Sequence, residues 1–96
     1  MIAAQTVTAT ASEILAPPGT GTVLPAYQFV ALCNTGSETA YLKFTADATA
    51  VSVTNGIALP AGASILVDQD DSPILANGIS AICATGKTTT VAVQAY

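Results

Sequence analysis

Apolar and hydroxyl-bearing residues alternate with a period of two along nearly the whole chain, and no stretch sustains a helical period with matching caps. Successive side chains of a strand point to opposite faces, so this pattern predicts strands with one face buried. From Thr6 to Ala11 the alternation is unbroken and would set Val7, Ala9 and Ala11 inward. The run from Gln28 to Cys33 is almost continuously apolar and reads as a central strand. Asn34 to Ser37 supplies turn residues. Thr39 to Phe44 then alternates again, with Leu42 and Phe44 on one face and Tyr41 and Lys43 on the other, and the two runs read together as a hairpin. Thr49 to Thr54 reads as a short strand closed by Asn55-Gly56, a favoured two-residue turn. Ile57 to Leu59 is stopped by Pro60, which marks an edge or a strand end. Further strands are expected over Ala63 to Val67, Ile79 to Ala84 and Thr88 to Tyr96, the last two joined by a short loop at Thr85-Gly86-Lys87. Ala9 to Ala16 has helix-forming Ala, Glu and Leu, but Pro17 and the preceding alternation argue against a helix. About eight short strands with turn signals at this spacing predict an all-β fold, a single antiparallel β-sandwich or small barrel. Residues 1–96 form one domain, and residues 1–26 are expected to be an extended N-terminal arm plus the first strand.

Composition narrows the function. At 96 residues there is room for one domain only. There is no His and no Arg, two Lys and a net charge of −4. The lack of His removes His-based acid–base and triad chemistry, and the acidic balance argues against nucleic acid, which requires a basic surface. No catalytic residue, cofactor site, metal site or small-molecule substrate is expected. Charged residues are 8% of the chain, where a monomeric surface carries about 25–35%. Thr and Ser cover the polar faces instead. Nineteen of the hydrophobic residues are Ala and only five residues are aromatic, so the chain buries little area by itself. Both facts suggest a domain that packs against neighbours; a secreted domain with a hydroxyl surface is the alternative. The start has no basic segment followed by an apolar core, and no apolar run reaches the ~20 residues of a membrane helix. Synthesis in a host cytoplasm and no membrane partner are the expectation. Cys33 and Cys83 are then expected as buried free thiols, though facing strands could bridge them.

Three local patterns need weighing. Ala81 to Thr88 loosely resembles a phosphate-binding loop with Lys87 and Thr88, but the residues after Thr88 are strand-forming, so a hairpin loop is expected. Asp68, Asp70 and Asp71 form the one carboxylate cluster. Its spacing fails the EF-hand pattern, leaving a solvated acidic loop or an irregular cation site. Tyr27, Tyr41 and Tyr96 are the candidates for an interface or sugar-stacking patch. Tyr41 is the best placed, because interfaces are enriched in Tyr.

The segments Leu32 to Leu42, Ile57 to Ser64 and Ile79 to Val93 carry, in order, an Asn-Thr-Gly-Ser turn, a Leu-Pro-Ala-Gly turn and an Ala-Ile-Cys-Ala-Thr-Gly-Lys-Thr closing segment. Over residues 28–96 the chain resembles small β-sandwich virion proteins of tailed bacteriophages, including head decoration (cement) proteins. The resemblance implies a non-enzymatic role, attachment to the major capsid protein on the virion surface, and self-association, often as a homotrimer. Residues expected to make contacts are Ile2, Val7, Ile14 and Leu15 in the arm, with Tyr27 and Tyr41. Deleting residues 1–15 is expected to leave a β-rich domain that no longer binds capsids. The alternatives are a carbohydrate- or host-surface-binding module from a head fibre or tail, which would use Tyr41, and a secreted adhesion domain, which a Cys33–Cys83 disulfide would favour.

Overall fold

The computed structural model describes residues 2–15, 29–45, 47–68 and 78–95. The eight strands are β1 (Ile2–Val7), β2 (Ser12–Leu15), β3 (Phe29–Asn34), β4 (Ala40–Lys43), β5 (Ile57–Leu59), β6 (Ser64–Asp68), β7 (Ile79–Ile82) and β8 (Thr89–Ala95). They form two four-stranded antiparallel sheets, ordered β1-β8-β3-β6 and β2-β7-β4-β5. The expected all-β sandwich is the observed architecture. β3 is central, paired with β8 on one side and β6 on the other.

The alternation sets the faces. In the first sheet Val30 and Leu32 of β3, Val91 and Val93 of β8, Val7 of β1 and Val67 of β6 point inward. They meet Ala40 and Leu42 of β4, Leu59 of β5, and Ile79 and Ala81 of β7 in one cluster. Phe44 packs against that cluster from the Leu42 side, as the alternation predicts. A register shift in β2 lets two consecutive residues, Ile14 and Leu15, both enter the core; a bulge re-aims a side chain in just this way.

Several sequence expectations are corrected. Every connection except β4–β5 passes from one sheet to the other. The pairs β3–β4 and β7–β8, expected as hairpins, are therefore arches between sheets: period two fixes faces but not partners. The strand expected over Thr6 to Ala11 ends at Val7, and the chain bends at Ala9 and Thr10 on its way to the second sheet, where Thr8 Oγ1 accepts from the Thr10 N–H. Residues 49–54, expected as a strand, are a single 3-10 turn over Ala48–Ala50 followed by irregular chain. Asp47 caps that turn by accepting from the Thr49 N–H, and hydrogen bonds from Thr49 hold its carboxyl below the usual carboxylate range. The expected N-terminal arm is, over residues 2–15, a strand in each sheet. Residues 16–28, including Tyr27, lie outside the described residues, as do Tyr96 and most of the acidic segment after Asp68.

Asn34 closes one end of the sandwich. It is in phase with Val30 and Leu32, fully buried, and its side chain makes four hydrogen bonds. Nδ2 donates to the Glu38 carbonyl (2.7 Å) and the Leu59 carbonyl (2.8 Å), while Oδ1 accepts from the Gly36 N–H (3.1 Å) and from Thr89 Oγ1 (2.7 Å). Its backbone bonds Ala63 and Gly62 in the turn after β5. One side chain thus ties the β3–β4 arch, the end of β5 and the start of β8, joining both sheets.

Candidate partner-binding surface

The six expected contact residues fall into different places. Val7, Ile14 and Leu15 are 0–2% exposed and belong to the inter-sheet core. They hold the sandwich together, and their side chains are withheld from any partner because they are buried between the two sheets. Ile2 begins β1, an edge strand, opposite Gln94 in register. Tyr27 is outside the described residues. Tyr41 lies on the outer face of the second sheet, half-buried, with the backbone of Gly56 against it.

The two outer faces differ. That of the second sheet is roofed by the chain between β4 and β5. Ser80 Oγ donates to the Thr45 carbonyl (2.8 Å), Lys43 Nζ to the Ala50 carbonyl (3.4 Å), and Asn55 Nδ2 to the same carbonyl (3.0 Å). Val51 is buried there, apart from the inter-sheet core. Gly56 is a glycine because this roof sits so close: an added Cβ would stand 2.8 Å from Tyr41 Cβ.

The outer face of the first sheet has no such cover among the described residues. Its register rows run Ile2–Gln94–Ala31–Leu66 and Ala4–Ala92–Cys33–Ser64, followed by Thr6–Thr90. None of these residues is charged; the next row pairs Phe29 with Asp68, the one carboxylate position in this sheet. Leu66 is 68% exposed, against the usual fate of a leucine. Leu66 forms part of the wall of an open hollow of about 460 Å³, lined also by Ala31, Cys33, Ser64, Ala92 and Gln94. Since a cavity of about 150 Å³ already holds a benzene ring, the hollow has room for apolar side chains.

Alternation alone does not single out this face, yet a signal for it exists. Val30-Ala31-Leu32-Cys33 and Ile65-Leu66-Val67 are apolar at both parities. A strand facing water on one side alternates, so these two strands carry a second apolar face.

Reactive groups are sparse. Cys33 and Cys83 are free thiols. Cys83 is buried, and burial pushes its thiol pKa up; Cys33 is half-buried in the hollow. Among the described residues no three His, Cys, Asp or Glu side chains come together as a metal site. Gly86 adopts φ +77° in the Lys87 loop, the Lys87 N–H bonds the Ala84 carbonyl, and strand β8 comes next. A phosphate loop needs a helix N-terminus at that place. Lys87 instead approaches Glu38 at 3.9 Å, an exposed pair.

Comparison with known proteins finds no match: no family model, no curated protein and no solved structure aligns significantly with this chain.

Proposed function

We propose that this chain is a non-enzymatic structural protein of a bacteriophage particle, a head decoration protein that attaches to the major capsid protein and stabilises the shell as an oligomer. The observation that carries the reading is the outer face of the first sheet, where Leu66 is exposed beside a hollow and no segment covers it among the described residues. In a chain of net charge −4, the rows through Leu66 and Ser64 carry only small, hydroxyl, amide and apolar residues, with a leucine standing out beside a hollow. Contiguous apolar patches of this kind mark association surfaces. The resemblance of residues 28–96 to small virion proteins gives the setting. The role is mechanical: decoration buries area across subunit boundaries, and each Å² of apolar surface removed from water contributes about 25 cal/mol.

The test uses shells assembled from the major capsid protein encoded with this chain. Added chain should co-sediment with them, appear as regularly spaced density in images, and raise the temperature at which they rupture. Shells that exclude the chain and rupture at an unchanged temperature would refute the reading.

A further inference from the structure

We propose that Asn55 is a site of spontaneous deamidation, held shut by the turn in which it sits and attacked when that turn opens. The inference goes beyond the decoration reading and does not depend on it.

The sequence supplies the reactants. A main-chain nitrogen attacks the amide of a preceding asparagine most readily when glycine carries it, because glycine has no side chain to block the approach. Asn55-Gly56 is such a pair, and Asn55 is exposed, so water reaches it. The Gly56 nitrogen bonds to Asn55 Cγ, and the bond from Cγ to Nδ2 breaks. Ammonia leaves, carrying the proton that the Gly56 N–H gives up, and a cyclic imide remains. Water then opens the ring at either carbonyl. Breaking the new bond to Cγ leaves Asp. Breaking the original main-chain bond leaves an isoaspartyl linkage, with the backbone routed through the side chain. Water is the only co-reactant.

The structure supplies the restraint. A tight Asn-Gly turn of the favoured kind would hold both residues at positive φ, and among the described residues only Gly62, Gly78 and Gly86 do so. The chain instead folds around the Asn55 amide, which is bonded at both ends. Nδ2 donates to the Ala50 carbonyl (3.0 Å), and Oδ1 accepts from the Ser52 N–H (2.8 Å). The attacking group is occupied as well, since the Gly56 N–H donates to the Ser52 carbonyl (2.9 Å). Swinging Cγ onto the Gly56 nitrogen breaks the first two bonds, and taking the proton from that nitrogen breaks the third. Ser52 Oγ props the same turn by accepting from the N–H groups of Thr54 and Asn55, each at 3.3 Å.

All these partners lie between residues 50 and 56, so a local opening that leaves both sheets intact is enough. The product cannot rebuild the turn. A carboxylate has no proton to give the Ala50 carbonyl. An isoaspartyl linkage lengthens the main chain just before Gly56, which lies against Tyr41. Conversion therefore loosens the roof of the second sheet irreversibly and adds a negative charge to a chain already at −4.

The experiment incubates the intact chain at mildly alkaline pH, folded and in urea, beside folded Ser52→Ala and Thr89→Val, each below its melting temperature. Trypsin cuts after Lys43 and Lys87 and releases residues 44–87; fragment masses separate Asn55 from Asn77, which lies outside the described residues. In urea Asn55 should convert, with the isoaspartyl product present. In the folded chain it should convert more slowly by roughly tenfold or more, the weight of the hydrogen bonds that must open. Ser52→Ala removes the prop, and should speed conversion in the folded chain roughly fivefold. Its melting temperature should not change, because Ser52 lies outside the core cluster. Thr89→Val weakens the sandwich through Asn34 without touching this turn, and should leave the rate as it is. Equal rates in the folded chain and in urea overturn the restraint, and an Asn55 that survives urea overturns the site. A Ser52→Ala rate no faster than that of the intact chain overturns the local opening. So does a Thr89→Val rate that rises as much as that of Ser52→Ala, since unfolding of the whole domain would then be the route.

Discussion

Replacing Asn34 with Ala should cost more than any surface change in this protein. The side chain is fully buried and makes four hydrogen bonds between 2.7 and 3.1 Å, two of them to the carbonyls of Glu38 and Leu59. Each net hydrogen bond is worth about 1 kcal/mol, and a buried group left without its partner costs about 1–3 kcal/mol. Ala leaves the Leu59 carbonyl and Thr89 Oγ1 unpaired in the interior, along with a small void. The bonds share one side chain and do not add fully. A loss of about 3–5 kcal/mol is expected, out of the roughly 5–15 kcal/mol that holds a domain of this size together. At about 4–8 °C per kcal/mol the melting temperature should fall by roughly 12–40 °C. Urea denaturation followed by far-ultraviolet circular dichroism reads the change directly. Thr89→Val removes only one of the four partners and should cost about 1–2 kcal/mol. Asn34→Asp keeps the size but takes away both N–H donors, setting a carboxylate against two carbonyl oxygens, so it should be at least as damaging as Ala. An Asn34→Ala loss under about 1 kcal/mol, or a Thr89→Val loss equal to it, would refute the idea that Asn34 ties the two sheets.

Other expectations come from the same packing. Gly56→Ala puts a methyl 2.8 Å from Tyr41 Cβ and 3.0 Å from the Ser52 carbonyl, and should destabilise by about 1–3 kcal/mol through overpacking in thermal melts. Gly62→Ala meets no atom but sits at φ +81°, so its cost should be only about 1–2 kcal/mol of backbone strain. Deleting residues 1–15 removes β1, β2 and three core side chains, each worth about 2–5 kcal/mol to truncate. The product should show no cooperative unfolding transition, in place of the folded but non-binding domain that an arm would leave. The Cys83 thiol keeps its proton more firmly when folded, chiefly because it is buried. Its contribution to stability is therefore whole below the ordinary thiol pKa and declines as alkaline pH rises past that value toward the folded one. Denaturation midpoints of the intact chain and Cys83→Ala should converge over that range.

Much of this fold is legible in one dimension because burial in a sandwich follows parity. Val30 and Leu32, Leu42 and Phe44, and Val91 and Val93 are placed on the correct side by alternation alone. Partner choice is not a local property. The turn residues after Asn34 and the Gly86 loop look the same whether they return a strand to its neighbour or carry it across to the other sheet, so two arches read as hairpins. Asn34 shows the same limit at one residue. As a turn former it signals a loop, while its parity with Val30 and Leu32 signals the core. The structure satisfies both by burying the amide and directing its hydrogen bonds to the arch. Ile14 and Leu15 could not be assigned to the core by parity, because only a bulge lets consecutive residues share a face.

The asymmetry of the two sheets ties composition to function. A chain with so few charges has little means to keep either outer face in water as a charged surface. For the second sheet the chain solves this with its own residues. The segment between β4 and β5 lies across Lys43, Ser80 and Tyr41, fixed by side chain-to-backbone hydrogen bonds. The first sheet carries an exposed Leu66 and a hollow on its outer face, without a covering segment among the described residues. Were low charge merely a feature of a hydroxyl-rich surface, that face would be expected to bear Thr and Ser throughout. Instead its centre is Ala31, Cys33, Ala92 and Leu66, residues that gain nothing from water and gain stability when another surface covers them. The exposed apolar surface of the first sheet is therefore centred on Leu66 and the hollow beside it, and a test of association should begin there.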